Sequence, residues 1–186
     1  MSNPTDERVA EYIARQDIWM LMQRYARGID RWDADLVRSC YFDDAVDDHG
    51  DGYVGDVEGM IEFARETSRG FISAQHMICN HYCELDGNDA HAETYFMSLC
   101  NVPGGQSFVS AGRYLDHLQC RDGEWRIAER VVIMENMYDL PTSNVYPSVP
   151  AALATGDVHP WGRDRSDASY QRPAKPRAPR EIWKSW

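Results

Sequence analysis

Two residues of this 186-residue chain stand where their side-chain chemistry needs a reason, Asp30 and His76. Asp30 ends an apolar-striped helical segment, where the negative end of the helix dipole disfavours a carboxylate. It lies four residues after Ala26, at the edge of that stripe. Either it caps the next helix or it pairs with a buried histidine. His76 opens a β-rich run, Gln75-His76-Met77-Ile78-Cys79-Asn80, and alternation places it on one face with Ile78, Asn80 and Tyr82. A histidine on an apolar face is a core group that has found a hydrogen bond or, given a partner, an acid–base group that titrates near neutral pH. Tyr25 is ordinary core by type, but its hydroxyl needs a polar neighbour. Arg130 reads as a solvated strand residue or a pocket cation, and alternation does not choose. Asp47 and His49 alternate along a short strand as pocket residues or solvated hairpin positions, and Tyr53 follows the same turn.

Other chemistries are disfavoured. Cys79, His81 and Cys83 share a strand face by alternation, but same-face neighbours are about 6–7 Å apart along a strand and cannot easily converge on one metal. No metal site is expected. The sequence contains no Gly-x-x-x-x-Gly-Lys-Ser/Thr phosphate-binding loop and no Gly-x-Ser-x-Gly elbow, so neither a nucleotide cofactor nor serine hydrolysis is expected.

The elements that must position these groups follow from periodicity. From Val9 to Ile29, Ile18, Leu21, Met22, Tyr25 and Ile29 form one apolar stripe against Arg15, Gln16, Gln23, Arg24 and Arg27, which predicts an amphipathic helix. Asp33 is placed to cap a second helix, Ala34 to Tyr41. A short hairpin over Ala45 to Val54 turns at His49 to Gly52, and a third helix runs from Val57 to Ser68. The period then changes. Ser73 to Leu85, Ala90 to Val102, Phe108 to Arg121 and Glu124 to Met137 are β-rich and separated by Gly/Asp/Asn/Pro turn signals, predicting four long antiparallel strands. Helices first and a meander afterwards indicate an α+β domain: a cone-shaped, curved antiparallel sheet with three N-terminal helices enclosing a pocket. Residues 1–138 make this domain. Residues 139–186 hold seven of the nine prolines with Trp161, Trp183 and Trp186, and read as an extended arm lying on the domain or on a neighbouring subunit.

The formal charge of −11 argues against a nucleic-acid partner, which leaves a neutral or apolar small molecule as the expected ligand. Five scattered cysteines without a Cys-x-x-Cys pair fit reduced thiols. The polar start and the absence of a long apolar run predict neither secretion nor membrane insertion. A cytoplasmic protein is expected.

Taken in order, Tyr25-Ala26-Arg27-Gly28-Ile29-Asp30, Tyr41-Phe42-Asp43-Asp44-Ala45, Gln75-His76 with Asn80, Gly112-Arg113-Tyr114 and Asp122-Gly123-Glu124-Trp125-Arg126-Ile127 resemble the polyketide-cyclase-like (SnoaL-like) branch of the nuclear transport factor 2-like superfamily. The resemblance covers roughly Val9 to Met137. It is nearest in kind to scytalone dehydratase, bile acid 7α-dehydratase and hexachlorocyclohexane dehydrochlorinase. It implies that Asp30 orients His76, that His76 removes a proton from carbon while a leaving group departs, and that Tyr25 polarises an oxygen. It also implies that Arg130 sits beside the leaving group. The implied activity is a cofactor-free lyase performing β-elimination, by dehydration or a related carbon–carbon cleavage such as formaldehyde loss, on a small hydrophobic cyclic or aromatic substrate. Isomerisation with the same base, or a non-catalytic binding or assembly role, are the alternatives. Arg130, Tyr53, Asp47 and His49 are the candidate substrate-binding residues, and a homo-oligomer, a trimer by resemblance, is expected.

Overall fold

The structure is a computed structural model and describes residues 4–102, 107–140 and 162–174. Helix α1 (Pro4–Asp30) starts on a proline with Asp6 and Glu7 in its first turn, both favourable at a helix N-terminus. Its second half buries the predicted stripe: Ile18, Leu21, Met22 and Tyr25 are buried in the main core. Asp33 caps helix α2 (Ala34–Arg38) as expected, its carboxylate accepting from the Leu36 N–H at 3.3 Å. That helix stops three residues earlier than its composition suggests, because Tyr41 opens strand β1 (Tyr41–Asp48), which pairs with the last strand and buries Tyr41 and Ala45. A two-residue strand β2 (Val54–Gly55) and helix α3 (Val57–Thr67) follow.

Strands β3 (Ser73–Asp86), β4 (Asp89–Asn101), β5 (Ser107–Arg121) and β6 (Glu124–Leu140) form the expected antiparallel meander. The sheet order is β2-β1-β6-β5-β4-β3. The sheet is mixed rather than wholly antiparallel, since β1 runs parallel to β6. The chain leaves β2 through α3 to the far edge and meanders back, so β1 meets β6 through a long crossover, and only hairpin neighbours must be antiparallel. Among the described residues no helix is long and apolar enough to cross a membrane.

Bulges curve the sheet. One lies between Ile78 and His81 and corrects the simple alternation: His76 and Ile78 face the helices with Ala74, whereas Asn80 and Tyr82 face outward. His81 and Cys83 take the inner face after the bulge, and Cys79 is exposed outside it. The three residues weighed as metal ligands therefore do not share a face, and no cluster of three His, Cys, Asp or Glu suited to a metal occurs among the described residues. A second bulge lies at Ala111/Gly112. There an added Cβ would stand 2.1 Å from the Ile133 carbonyl oxygen and 3.1 Å from the Phe96 ring. Gly112→Ala is expected to cost about 1–3 kcal/mol by forced displacement of backbone, and roughly 3–10 °C in Tm, read by thermal melting.

Most of the arm, residues 141–161 and 175–186 with Trp161, Trp183 and Trp186, lies outside the described residues. Residues 162–174 lie against the α1–α2 corner and include one 3₁₀ turn, Ala168–Tyr170. Tyr170 and Arg165 donate to the Asp33 carboxylate at 2.8 and 3.0 Å, and the Arg27 guanidinium lies over the Tyr170 ring at 4.7 Å.

Candidate active site

The end of α1 and the start of β3 bring Asp30 to His76. One Asp30 oxygen accepts from the His76 ring nitrogen Nδ1 at 2.7 Å, and the carboxylate also accepts the His76 backbone N–H at 2.9 Å. The contact fixes both the ring and the chain that bears it. In the neutral ring, a Nδ1 that donates to the carboxylate carries the one ring proton, and Nε2 is the nitrogen with a free lone pair. Both side chains are nearly buried, 16% exposed for His76 and 14% for Asp30.

The histidine lines a cavity of about 410 Å³ between the sheet and the helices. Its walls are largely apolar, with Phe71, Phe96, Phe108, Val132 and Met137 among them, and Tyr25, His49, Ser98, Ser110 and Arg163 supply the polar points. On its other side the Asp30–His76 pair borders a cleft with Arg27 and Arg31. It therefore forms a partition between the cavity and the outer surface.

Of the seven residues singled out in the sequence, Tyr25, His49 and His76 line this cavity and Asp30 stands directly behind His76. Asp47 stands behind His49, fully buried and paired with its Nδ1. Arg130 does not reach the wall, and its expected place beside a ligand is corrected. It lies in a cross-strand row, opposite Asp47 on β1 and Asp116 on β5. It is 1% exposed, and binds both Asp116 oxygens through Nε and Nη2 at 2.6 and 2.8 Å. Its guanidinium lies 4.2 Å over the rings of both Tyr25 and Tyr114. Burial is the largest single influence and opposes its charge, but Asp116, Tyr41 and Tyr25 together outweigh it and hold its pKa well above the ordinary arginine value. Tyr53 is likewise outside the cavity: its hydroxyl donates to the Asp56 carbonyl at 2.8 Å and its ring stacks on Phe63.

Arg130 thus acts on the cavity through Tyr25. Burial pushes the Tyr25 hydroxyl far above its ordinary value, and the Arg130 cation only partly offsets this. At neutral pH Tyr25 is a hydrogen-bond donor and not a phenolate.

Two features escaped the sequence reading. Ser98 and Ser110 sit opposite one another on β4 and β5 and share a 2.6 Å hydrogen bond in the cavity wall. Alternation from Phe96 and Tyr114, combined with the hairpin register, carries that signal. Arg163 comes from the arm and has no local signal. It is buried, stacks on Trp32 at 4.3 Å, and donates to the carbonyls of Ile29, Asp30 and Ser68 at 3.2, 3.4 and 3.1 Å. A cation on these carbonyls at the end of α1 and just past α3 offsets the negative pole that makes Asp30's position unfavourable.

A family model for the SnoaL-like domain matches residues 10–131. No match to a curated protein is found. Among solved structures, a hexachlorocyclohexane dehydrochlorinase (LinA) of type 2 is 25% identical with a TM-score of 0.63, covering 75% of this chain and 95% of its own. The type 3 dehydrochlorinase of Novosphingobium barchaimii is 23% identical, TM-score 0.64, with coverages of 75% and 97%. A provisionally assigned scytalone dehydratase of Novosphingobium aromaticivorans shares the fold at 14% identity, TM-score 0.64, with coverages of 74% and 93%. With the family model spanning most of the curved-sheet domain, the chain belongs to the SnoaL-like domain family.

Proposed function

We propose that this protein is a lyase that needs no cofactor and removes a proton from carbon with His76, expelling an oxygen leaving group from a small hydrophobic cyclic or aromatic substrate. The observation behind this reading is the Asp30–His76 contact at 2.7 Å, with the ring on the wall of an apolar cavity. Asp30 fixes the tautomer and stabilises the imidazolium formed when Nε2 takes the proton. The carbon–hydrogen electron pair becomes the new double bond as the carbon–oxygen bond breaks. Tyr25 donates a hydrogen bond to oxygen as negative charge builds on it, an interaction strengthened where water is excluded. Aromatic side chains such as Phe96, stacked on Tyr114 at 4.5 Å, suit a flat substrate ring.

The test is a panel of β-hydroxy ketones and hydroxylated aryl-alkyl or alicyclic compounds, incubated with the protein in deuterated water. Formation of the conjugated alkene is followed by ultraviolet absorbance and deuterium incorporation by NMR. Alkene formation is the expected result. Deuterium incorporation or double-bond migration without loss of the oxygen group would reassign the protein as an isomerase using the same base, and a panel inert in both measurements would remove the catalytic reading.

A further inference from the structure

His49 occupies a setting that mirrors His76. It begins the turn after β1, where its backbone N–H donates to the Tyr53 carbonyl at 2.7 Å, and its ring meets Phe63 edge-on at 5.8 Å. Its Nδ1 pairs with one oxygen of Asp47, and the other oxygen accepts the Tyr41 hydroxyl at 2.8 Å. Burial, the largest influence, holds Tyr41 well above its ordinary pKa, so that hydroxyl remains a donor. Asp47 is completely inaccessible. Burying a carboxylate is costly unless its oxygens are matched, and here both are matched, one of them by an imidazole 22% exposed.

Both imidazoles line the same cavity. Each has Nδ1 on a carboxylate, which leaves Nε2 as the nitrogen available to a ligand. They also come from opposite sides of the sheet: β3 is one edge strand, and β1, which leads into His49, lies next to the other edge. A molecule in the cavity therefore has an acid–base group on either side.

We infer that His49 is a second catalytic acid–base group of this cavity, delivering a proton to the departing oxygen while His76 takes one from carbon. The inference rests on the elimination reading and deepens it by adding the acid. The protons balance. His76 Nε2 gains the carbon-bound proton, the carbon–hydrogen pair forms the carbon–carbon double bond, and the carbon–oxygen bond breaks. His49 enters the step as the imidazolium, with Nδ1 on Asp47 and Nε2–H towards the ligand; the leaving oxygen takes the Nε2 proton and departs as a neutral alcohol, phenol or water, and His49 is left as the neutral ring. Proton exchange with solvent then restores both rings, and no oxidant or reductant enters. The substrate class follows: compounds whose leaving oxygen is too basic to depart as an anion, alcohols and ordinary phenols.

The deciding experiment uses 1-aryl-3-aryloxypropan-1-ones that differ only in the leaving phenol, from 4-nitrophenol to phenol, with the parent and His49→Gln. A good leaving group departs without a proton and a poor one does not. His49→Gln is expected to lose about 10²–10³-fold in kcat with the phenol ether and to stay close to the parent with the 4-nitrophenol ether. Equal loss with both ethers overturns the inference, because a merely structural role does not sense the leaving group. Should His49→Gln fail to fold by circular dichroism, Asp47→Asn is read the same way, and the same leaving-group dependence is expected, since the imidazolium loses its counter-charge. A parent inert towards the whole series would defeat the elimination reading itself. Binding of 4-nitrophenol, followed by its absorbance change, then decides the point about His49 alone. Weaker binding to His49→Gln than to the parent supports an oxygen site at His49, and equal binding overturns it.

Discussion

Replacing His76 by glutamine is expected to lower kcat for elimination by about 10²–10⁴-fold, the range for loss of a positioned general base, with KM nearly unchanged. Glutamine keeps the bulk and can still bond to Asp30, but it offers no nitrogen able to accept a proton from carbon. Loss confined to kcat indicates an interaction made in the transition state and not in ground-state binding. Asp30→Asn should also lose most activity, because the amide can hold Nδ1 as an acceptor and so favours the wrong tautomer. Activity of His76→Gln within a few-fold of the parent, with the fold confirmed by circular dichroism, would remove the imidazole from the mechanism.

The second large effect concerns stability. Arg130→Met is expected to cost about 3–5 kcal/mol, because it leaves the Asp116 carboxylate buried without its cation. At this chain length that lowers Tm by roughly 6–20 °C. The pair is fully inaccessible on both sides, with contacts of 2.6 and 2.8 Å, so little solvent screening weakens it. The double variant Arg130→Met/Asp116→Leu is expected to recover most of the loss, since apolar residues can replace a buried ion pair at little net cost. Denaturant unfolding of the two single variants and the double measures the coupling. A single variant as stable as the parent would show that the buried pair does not hold the sheet together behind Tyr25 and Tyr114. The folded double variant also isolates the action of Arg130 on Tyr25: without the cation the hydroxyl is less acidic and a weaker donor, so kcat falls while the fold is retained.

The sequence alone determined the α+β order, the three helices and the four long strands. It did so because each element states its own period: the Ile18–Leu21–Met22–Tyr25 stripe, the Asp33 cap, and the Gly87 and Gly123 turns are local signals that no distant contact had to supply. The position of Asp30 at a helix end and of His76 at a strand start was legible for the same reason. What lay beyond local reading was each case in which a bulge or a crossover sets the outcome. The bulge after Ile78 reverses which residues of β3 face inward, and the parallel pairing of β1 with β6 places Arg130 between Asp47 and Asp116 instead of beside the ligand. Arg163 reaches the end of α1 from more than a hundred residues away, in a stretch whose composition says only that it is not a helix. Tertiary structure alone brought His76 onto Asp30 and set that pair and the locally formed Asp47–His49 pair around one cavity. Local periodicity fixes which way a side chain faces, whereas the distance between two side chains remote in sequence is set by packing, register and chain crossing together.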